Sequence, residues 1–353
     1  MSGAALLELD GLEKHFTLSR GLGWSRRTLR AVDRVSFAIP AGQTLGLVGE
    51  SGCGKSTLGR VLVGLMAPTG GAIRLDGQPV RPARSRTERR AIQMVFQDPY
   101  ASLDPRMTIH EVVAEPLRIN GGYSPDRVDA LLAQVGIAAE AGRRLPAQFS
   151  GGQRQRIAIA RALALDPRIL ILDEAVSALD VSIQAQIVNL LRDLQRRMGL
   201  TYLFISHDLS VVRHISNLVA VMYLGRIMEI GPRADVLDRP AHPYTQSLLS
   251  AVPDPRRRGR KRIVLGGDLP NPLDPPTGCV FRTRCFKATA LCARETPRLA
   301  PLPAGEGQGH RVACHHAEPV DRTRLAELLL PTTEAPRGAA PPPRPDTDKE
   351  DPR

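Results

Sequence analysis

A chain of 353 residues, 42% of them apolar, can bury a full core and has room for about two domains at roughly 150 residues each. Its longest apolar runs, Ile157 to Leu172 and Leu200 to Leu224, are broken by Arg161, Asp166, Arg168, His207, Asp208 and Arg213, which excludes a spanning helix of about 18 uninterrupted apolar residues. The net charge of +12, with only five Lys among 48 basic residues, comes with 4% aromatics; no stacking platform for nucleic acid stands out, and an anionic membrane nearby or plain solubility is favoured.

Met1 to Phe16 lacks the charged, apolar and small-residue succession of an export signal, so a cytosolic location is expected. Leu6–Phe16 and Leu29–Ile39 alternate and carry β-branched residues, which predicts antiparallel strands joined by the Gly- and Arg-rich loop Ser19–Thr28. Phe16 sits where it can pack in a core or stack on a flat purine. Pro40-Ala41-Gly42 then turns the chain into a short apolar strand, Thr44–Val48.

That strand runs into Gly49-Glu50-Ser51-Gly52-Cys53-Gly54-Lys55-Ser56-Thr57 and then a helix-like run, Leu58 to Leu65. The spacing G-x-x-x-x-G-K-[ST] between strand and helix is a phosphate-binding loop: glycines let consecutive N–H groups turn inward, and the helix N-terminus adds partial positive charge. Lys55 reaches the outer phosphates, Ser56 suits Mg²⁺, and Thr57 adds a second hydroxyl.

Ile73 to Val80 reads as a hairpin around Asp76-Gly77, and Arg81–Arg90 as basic surface. Ala91–Phe96 predicts a buried strand that delivers Gln97 to the crevice where α/β proteins bind ligands. From Thr108 to Leu165 the periodicity is helical, clearest over Asp126–Val135 and Gln155–Leu165. Between those runs, Ser150-Gly151-Gly152-Gln153 is either a capped turn or a second anion site at a helix start.

Ile169–Leu172 is apolar on both faces, as a central parallel strand must be, and ends in Asp173-Glu174 at the same edge as the phosphate loop. Asp173 suits the Mg²⁺ shell, and Glu174, pointing the other way, suits orienting or deprotonating water. After the turn Ser177–Asp180 come a helix over Ser182–Met198 and a strand over Thr201–Ile205. His207 follows that strand, either a capping or surface residue or a donor to a γ-phosphate oxygen, and its place at a third strand end favours the second. Leu218–Tyr223 and Arg226–Ile230 pair around Gly225.

Beyond this unit, Pro253 to Arg262 packs six basic residues, a solvated linker or a headgroup-binding patch. Cys279, Cys285, Cys292 and Cys314 are separated by five, six and 21 residues. In a cytosolic chain such a set reads as metal rather than disulfides: tetrahedral zinc, a cluster with four Cys ligands, or free thiols. Arg282, Arg284 and His310 nearby read as structural. Arg324–Leu330 predicts a short helix, and the Pro-rich stretch from Pro331 a disordered tail.

Together the phosphate loop, Gln97, Ser150–Gln153, the strand into Glu174, Ser177–Asp180 and His207 resemble the ATP-binding cassette (ABC) ATPases, with Phe16 for the usual Tyr and Phe149 for the Leu of LSGGQ. His242-Pro243-Tyr244-Thr245, Ser250-Ala251-Val252-Pro253 and the cysteine region look like the ATPases of bacterial dipeptide and oligopeptide importers. The resemblance covers about residues 5–318.

It implies an α/β fold with a phosphate-loop (RecA-like) parallel-sheet core, an antiparallel β subdomain, an inserted helical subdomain at about 98–165, and a small Cys-rich C-terminal domain. The expected division is 1–240 for the ATPase, 241–318 for the importer-type region and 319–353 for helix and tail. It further implies Phe16 on adenine, Gln97 joining the Mg²⁺ and water site to a membrane partner, Glu174 as base, His207 on the γ-phosphate, and Asp180 among the nucleotide contacts. Each ATP would lie between one subunit's phosphate loop and the Ser150–Gln153 motif of a second ATPase, most simply a heterodimer partner. Two membrane permeases and a solute-binding protein would complete the importer, and the four cysteines would hold a 4Fe-4S cluster, with zinc as the alternative. Nickel, glutathione or a similar solute, an exporter, or a non-transport ABC protein on nucleic acid are the competing functions. The absence of tandem cassettes and of a long coiled-coil insertion argues against the last.

Overall fold

The computed structural model describes residues 5–19, 26–98, 102–177, 179–252, 263, 265–302, 309–322 and 324–325. The tip of the Ser19–Thr28 loop, the basic run from Pro253 to Arg262, most of the Arg324–Leu330 segment and the Pro-rich tail lie outside the described residues.

Two long strands, β1 (Ala5–Ser19) and β2 (Arg26–Pro40), pair antiparallel, and with β4 (Gly70–Leu75) and β5 (Gln78–Pro79) they form a four-stranded sheet in the order β2-β1-β4-β5. The second sheet has eight strands. Five are parallel: β6 (Ile92–Val95), β7 (Ile169–Asp173), β8 (Thr201–Ile205), β3 (Thr44–Val48) and β9 (Leu218–Tyr223), in that order. It then continues antiparallel through β10 (Arg226–Pro232), β12 (Arg311–Val312) and β11 (Ala300–Pro301).

The unbroken apolar character of β7 has a direct cause. Ile169 and Ile171 enter the core shared with the antiparallel sheet and α1 (Lys55–Val63), beside Leu45, Leu47 and Leu58. Leu170 and Leu172 enter the opposite core with Ile157, Leu191 and Phe204. A strand buried on both faces has no polar side to show.

The stretch expected to be helical over Thr108–Leu165 is three helices, α3 (Ile109–Asn120), α4 (Pro125–Gln134) and α5 (Gly151–Leu163), with 3-10 turns at Ala139–Arg143 and Pro146–Gln148. Thr108, Ser124 and Ser150 cap their N-termini through side-chain oxygens. Two expectations are refined. Arg81–Arg90 is surface apart from the buried Arg84, and within it α2 (Arg86–Ala91) begins with a reciprocal box: Glu88 N–H donates to Ser85 Oγ and Ser85 N–H to Glu88 Oε2. The strand expected from Ala91 to Phe96 is accordingly shorter at both ends.

The chain continues through α6 (Val181–Met198), α7 (Leu209–Ile215), α8 (Arg233–Asp238), α9 (Pro243–Ala251) and α10 (Ala290–Arg294). The cysteine region is fastened to the ATPase body rather than set apart from it. β12 extends the main sheet, Phe281 and Cys279 belong to its larger core, and the buried Glu229 carboxylate accepts the N–H groups of Ala241 and His242 and faces His310 Nε2 at 2.7 Å.

Candidate functional site

The carboxyl ends of the parallel strands place the candidate residues along one edge. β3 gives way to residues 49–54, which turn back into α1. A Cβ on Gly54 (φ 109°) would stand 2.0 Å from the Ala31 carbonyl oxygen, and one on Gly49 (φ 155°) 2.2 Å from that of Met222, so the loop can run this close to its neighbours only with glycine. Lys55 is 4% exposed, and its ammonium donates to the carbonyls of Gly49 (2.8 Å) and Glu50 (2.9 Å). Cys53 is turned inward and buried, so this side chain faces the core and only its backbone can meet a ligand.

Ser56 Oγ donates to Asp173 Oδ1 at 2.9 Å. Two hard oxygens side by side, one on α1 and one on β7, fit what Mg²⁺ binds. Burial pushes the Asp173 carboxyl above the usual aspartate range; the bond from Ser56 opposes that rise and the neighbouring Glu174 adds to it. The Glu174 backbone is left-handed (φ 48°), and its N–H donates to Ile205 C=O on β8. Its side chain receives Gln97 Nε2 at 2.9 Å on one oxygen and stands 3.4 Å from His207 Nδ1 on the other.

Phe16, Ser51, Gly52, Cys53, Gly54, Lys55, Ser56, Thr57, Gln97, Glu174 and His207 line a single cleft of about 660 Å³. Lys14 Nζ lies 5.1 Å over the Phe16 ring. Ser150 to Gln153 and Asp180 do not line it. They sit at the starts of α5 and α6, with Ser150 and Asp180 exposed. Ser150 and Gln153 there close a capping box, and Phe149 beside them is buried under the Arg144 guanidinium.

Three residues met the loop without any signal in the sequence. Glu50 N–H donates to Tyr244 Oη (2.9 Å), Glu50 Oε2 accepts from Arg284 Nη1 (2.7 Å), and Pro272 lines the cleft. Arg284, expected to be structural, is thus a neighbour of the phosphate loop.

The four cysteines lie together. Cys279 and Cys292 are buried, and Cys279 N–H donates to Cys292 C=O. Lys287 N–H points at Cys285 Sγ (3.4 Å) and His316 N–H at Cys314 Sγ (3.3 Å). Burial, then the other sulfurs, push Cys285 and Cys314 up to about 11, with the N–H groups opposing the rise. Four thiols gathered together, two buried and two partly buried, with backbone N–H groups aimed at two of them, fit a cationic centre that would bind them as thiolates. Among the described residues only Glu13, His15 and Asp33 bring three potential ligand atoms within 4.8 Å of one another; no three of the four sulfurs do. Those two carboxylates already pair with Arg34 and Arg226.

A phosphate loop at the edge of a parallel sheet, with carboxylates and a histidine from neighbouring strand ends and an antiparallel sheet bearing an aromatic, defines a cassette-type nucleoside triphosphatase. The family model described as ABC transporter matches residues 32–177, and that described as oligopeptide/dipeptide transporter, C-terminal region, matches residues 228–292. The chain is 50% identical over 323 residues to the oligopeptide transport ATP-binding protein AppF of Bacillus subtilis, covering 88% of this chain and 97% of that protein. It is 49% identical over 333 residues to OppF of Salmonella typhimurium, covering 89% and 97%. The dimeric post-hydrolysis structure of the ATP-binding cassette MJ0796, bound to ADP and Pi, superimposes with a TM-score of 0.56 at 29% identity, over 64% of this chain and 98% of that one. The chain therefore belongs to the ATP-binding proteins of the oligopeptide/dipeptide ABC transporters. Its activity is ATP hydrolysis coupled to transport. No helix among the described residues is long and apolar enough to cross a membrane.

Proposed function

We propose that this chain powers peptide uptake from the cytoplasmic face of the membrane, docked on two permease subunits that a solute-binding protein feeds, and paired with a second ATPase in a heterodimer. The observation that carries the reading is the convergence of Lys55, Gln97, Glu174 and His207 on one cleft while Ser150–Gln153 and Asp180 stand outside it at helix starts, with Ser150, Gln153 and Asp180 exposed. Such an arrangement supports a nucleotide bound by this chain and completed by the Ser-Gly-Gly-Gln face of a partner.

In this reading Phe16 stacks on the base, residues 49–57 cradle the phosphates through their N–H groups, and Lys55 meets the outer phosphates. Ser56 and Asp173, with Gln97, would hold Mg²⁺, which supplies charge neutralisation at the phosphates. Glu174 orients and deprotonates the attacking water, and His207 contacts the γ-phosphate. Gln97, on the exposed chain after β6, carries the state of the site to the permease. The division at 1–240, 241–318 and 319–353, with a helical subdomain at 98–165, is proposed on the same basis.

Cys279, Cys285, Cys292 and Cys314 would hold a 4Fe-4S cluster, stapling a small loop-rich region. Tetrahedral zinc, with Zn–S near 2.3 Å, sets its sulfurs about 3.8 Å apart. A cluster with four Cys ligands takes the whole set of thiolates at once. Anaerobically purified protein should be brown and contain iron and sulfide, both lost in Cys285→Ser; a colourless, zinc-loaded protein overturns the cluster. For transport, the subunit is reconstituted in vesicles with its permeases, partner ATPase and binding protein. ATP-dependent uptake of labelled di- or oligopeptides is expected, and ATP consumption with another solute but none of the peptides overturns peptide import.

A further inference from the structure

We infer that Tyr244 and Arg284, far outside the phosphate loop in sequence, are positioning residues that hold Lys55 ready for ATP; the inference rests on the reading of Lys55 as a phosphate ligand. The peptide between Gly49 and Glu50 carries the argument. Its carbonyl accepts the Lys55 ammonium at 2.8 Å, and its N–H donates to Tyr244 Oη at 2.9 Å. In a trans peptide these two groups point in opposite directions from one rigid plane. Fixing the N–H therefore fixes the carbonyl that holds the lysine.

Tyr244 can serve as a fixed point. Its side chain is fully buried, its ring meets Tyr223 at 4.8 Å and Phe281 at 5.3 Å, and its own N–H is bonded to His242 Nδ1. Phe281 lies two residues from Cys279. Arg284 precedes Cys285, is 11% exposed, and donates to the Glu50 carboxylate at 2.7 Å. Without that guanidinium, the Glu50 carboxylate would stand as an uncompensated negative charge on the loop that must receive phosphate. The tyrosine thus sets the geometry and the arginine offsets that charge. Both come from the C-terminal region, which makes the shape of the phosphate loop depend on that region being in place. A lysine already held needs less ordering when the nucleotide arrives.

The test is MgATP binding to the purified full-length subunit by equilibrium dialysis, with the melting temperature as control. Tyr244→Phe, which keeps the buried ring, should weaken binding about fivefold, the scale of one lost hydrogen bond. Arg284→Gln should weaken it similarly, and Arg284→Lys should restore most of the loss. In a Lys55→Ala background, Tyr244→Phe should have no further effect, because residues that act through one another do not add. Unchanged affinity in Tyr244→Phe, or the same loss with and without Lys55, overturns the inference. Lys55→Ala alone leaving affinity intact would instead overturn the phosphate-ligand reading. Should Tyr244→Phe not fold, the Arg284 variants on the two Lys55 backgrounds decide the question by the same criteria.

Discussion

Gln97 donates its side-chain amide to Oε2 of Glu174 at 2.9 Å, tying the chain after β6 to the end of β7. With His207 facing the other oxygen at 3.4 Å, the carboxylate is engaged from two sides before any nucleotide arrives. The left-handed backbone at Glu174 (φ 48°) turns it out of the strand direction at a cost of about 1–3 kcal/mol, which the bond from its N–H to Ile205 C=O helps to hold. Glu174→Gln keeps the size and the backbone but removes the basic oxygen. Phosphate release should fall by about 10² to 10⁴, while ATP binding changes less than about twofold. Undiminished turnover would remove Glu174 from the role of base.

Asp173 is 3% exposed, and Ser56 is its hydrogen-bond partner. A carboxyl whose folded-state value is raised by burial is most at ease protonated; the nucleotide-free fold gains least from it at neutral pH, where charge must stay buried, and more as pH falls. Asp173→Asn keeps the shape and removes that charge. Its melting temperature without nucleotide should rise by a few degrees, on the order of 1 kcal/mol of stability. Its Mg²⁺-dependent ATP hydrolysis should be lost. A lower melting temperature would mean that the charge is paired better than Ser56 alone allows.

Most of this site was legible because its chemistry is local. The phosphate loop is one run of residues between a strand and a helix, and Asp173 and Glu174 end a strand whose four apolar residues serve two cores. What escaped was non-local or very short. Strands β11 and β12 are two residues long and carry no alternation to read. The bonds from Tyr244 and Arg284 to Glu50 span 194 and 234 residues. The box Ser85-x-x-Glu88 was readable as a helix start, but the arginines around it suggested surface before structure.

His242 is fully buried, and burial pushes its imidazole down to about 3. The unfolded chain takes up a proton near pH 6.5 and the folded chain does not, so stability is intact above that value and is lost as pH falls toward 3. Between pH 7 and pH 5 this one group should remove about 2 kcal/mol, an average of about 0.7 proton that approaches one only near pH 5. Because its Nδ1 accepts the Tyr244 N–H, His242→Asn, which can present an amide oxygen there, should fold. Chemical denaturation at the two pH values should show a smaller difference in the variant by about that amount. An equal pH dependence in both proteins would mean that another group titrates.

Ser150 lies outside the cleft of its own chain yet caps α5 by accepting the Gln153 N–H at 3.3 Å. A capped turn and a face for a partner's ATP are therefore the same structure seen for two purposes, and stability alone cannot separate them. Ser150→Asp does. Aspartate caps as well as serine, so the melting temperature should move by less than about 1 kcal/mol equivalent. If the opposing phosphates approach this helix start, the new carboxylate meets them directly. Isolated subunits should bind MgATP as before, whereas hydrolysis at the site completed by this chain in the ATPase pair should fall at least about tenfold, as expected for a like-charge contact worth more than about 1.4 kcal/mol. Full activity in the assembled pair would show that this helix start faces no nucleotide, and weakened binding in the isolated subunit would place Ser150 in its own chain's site.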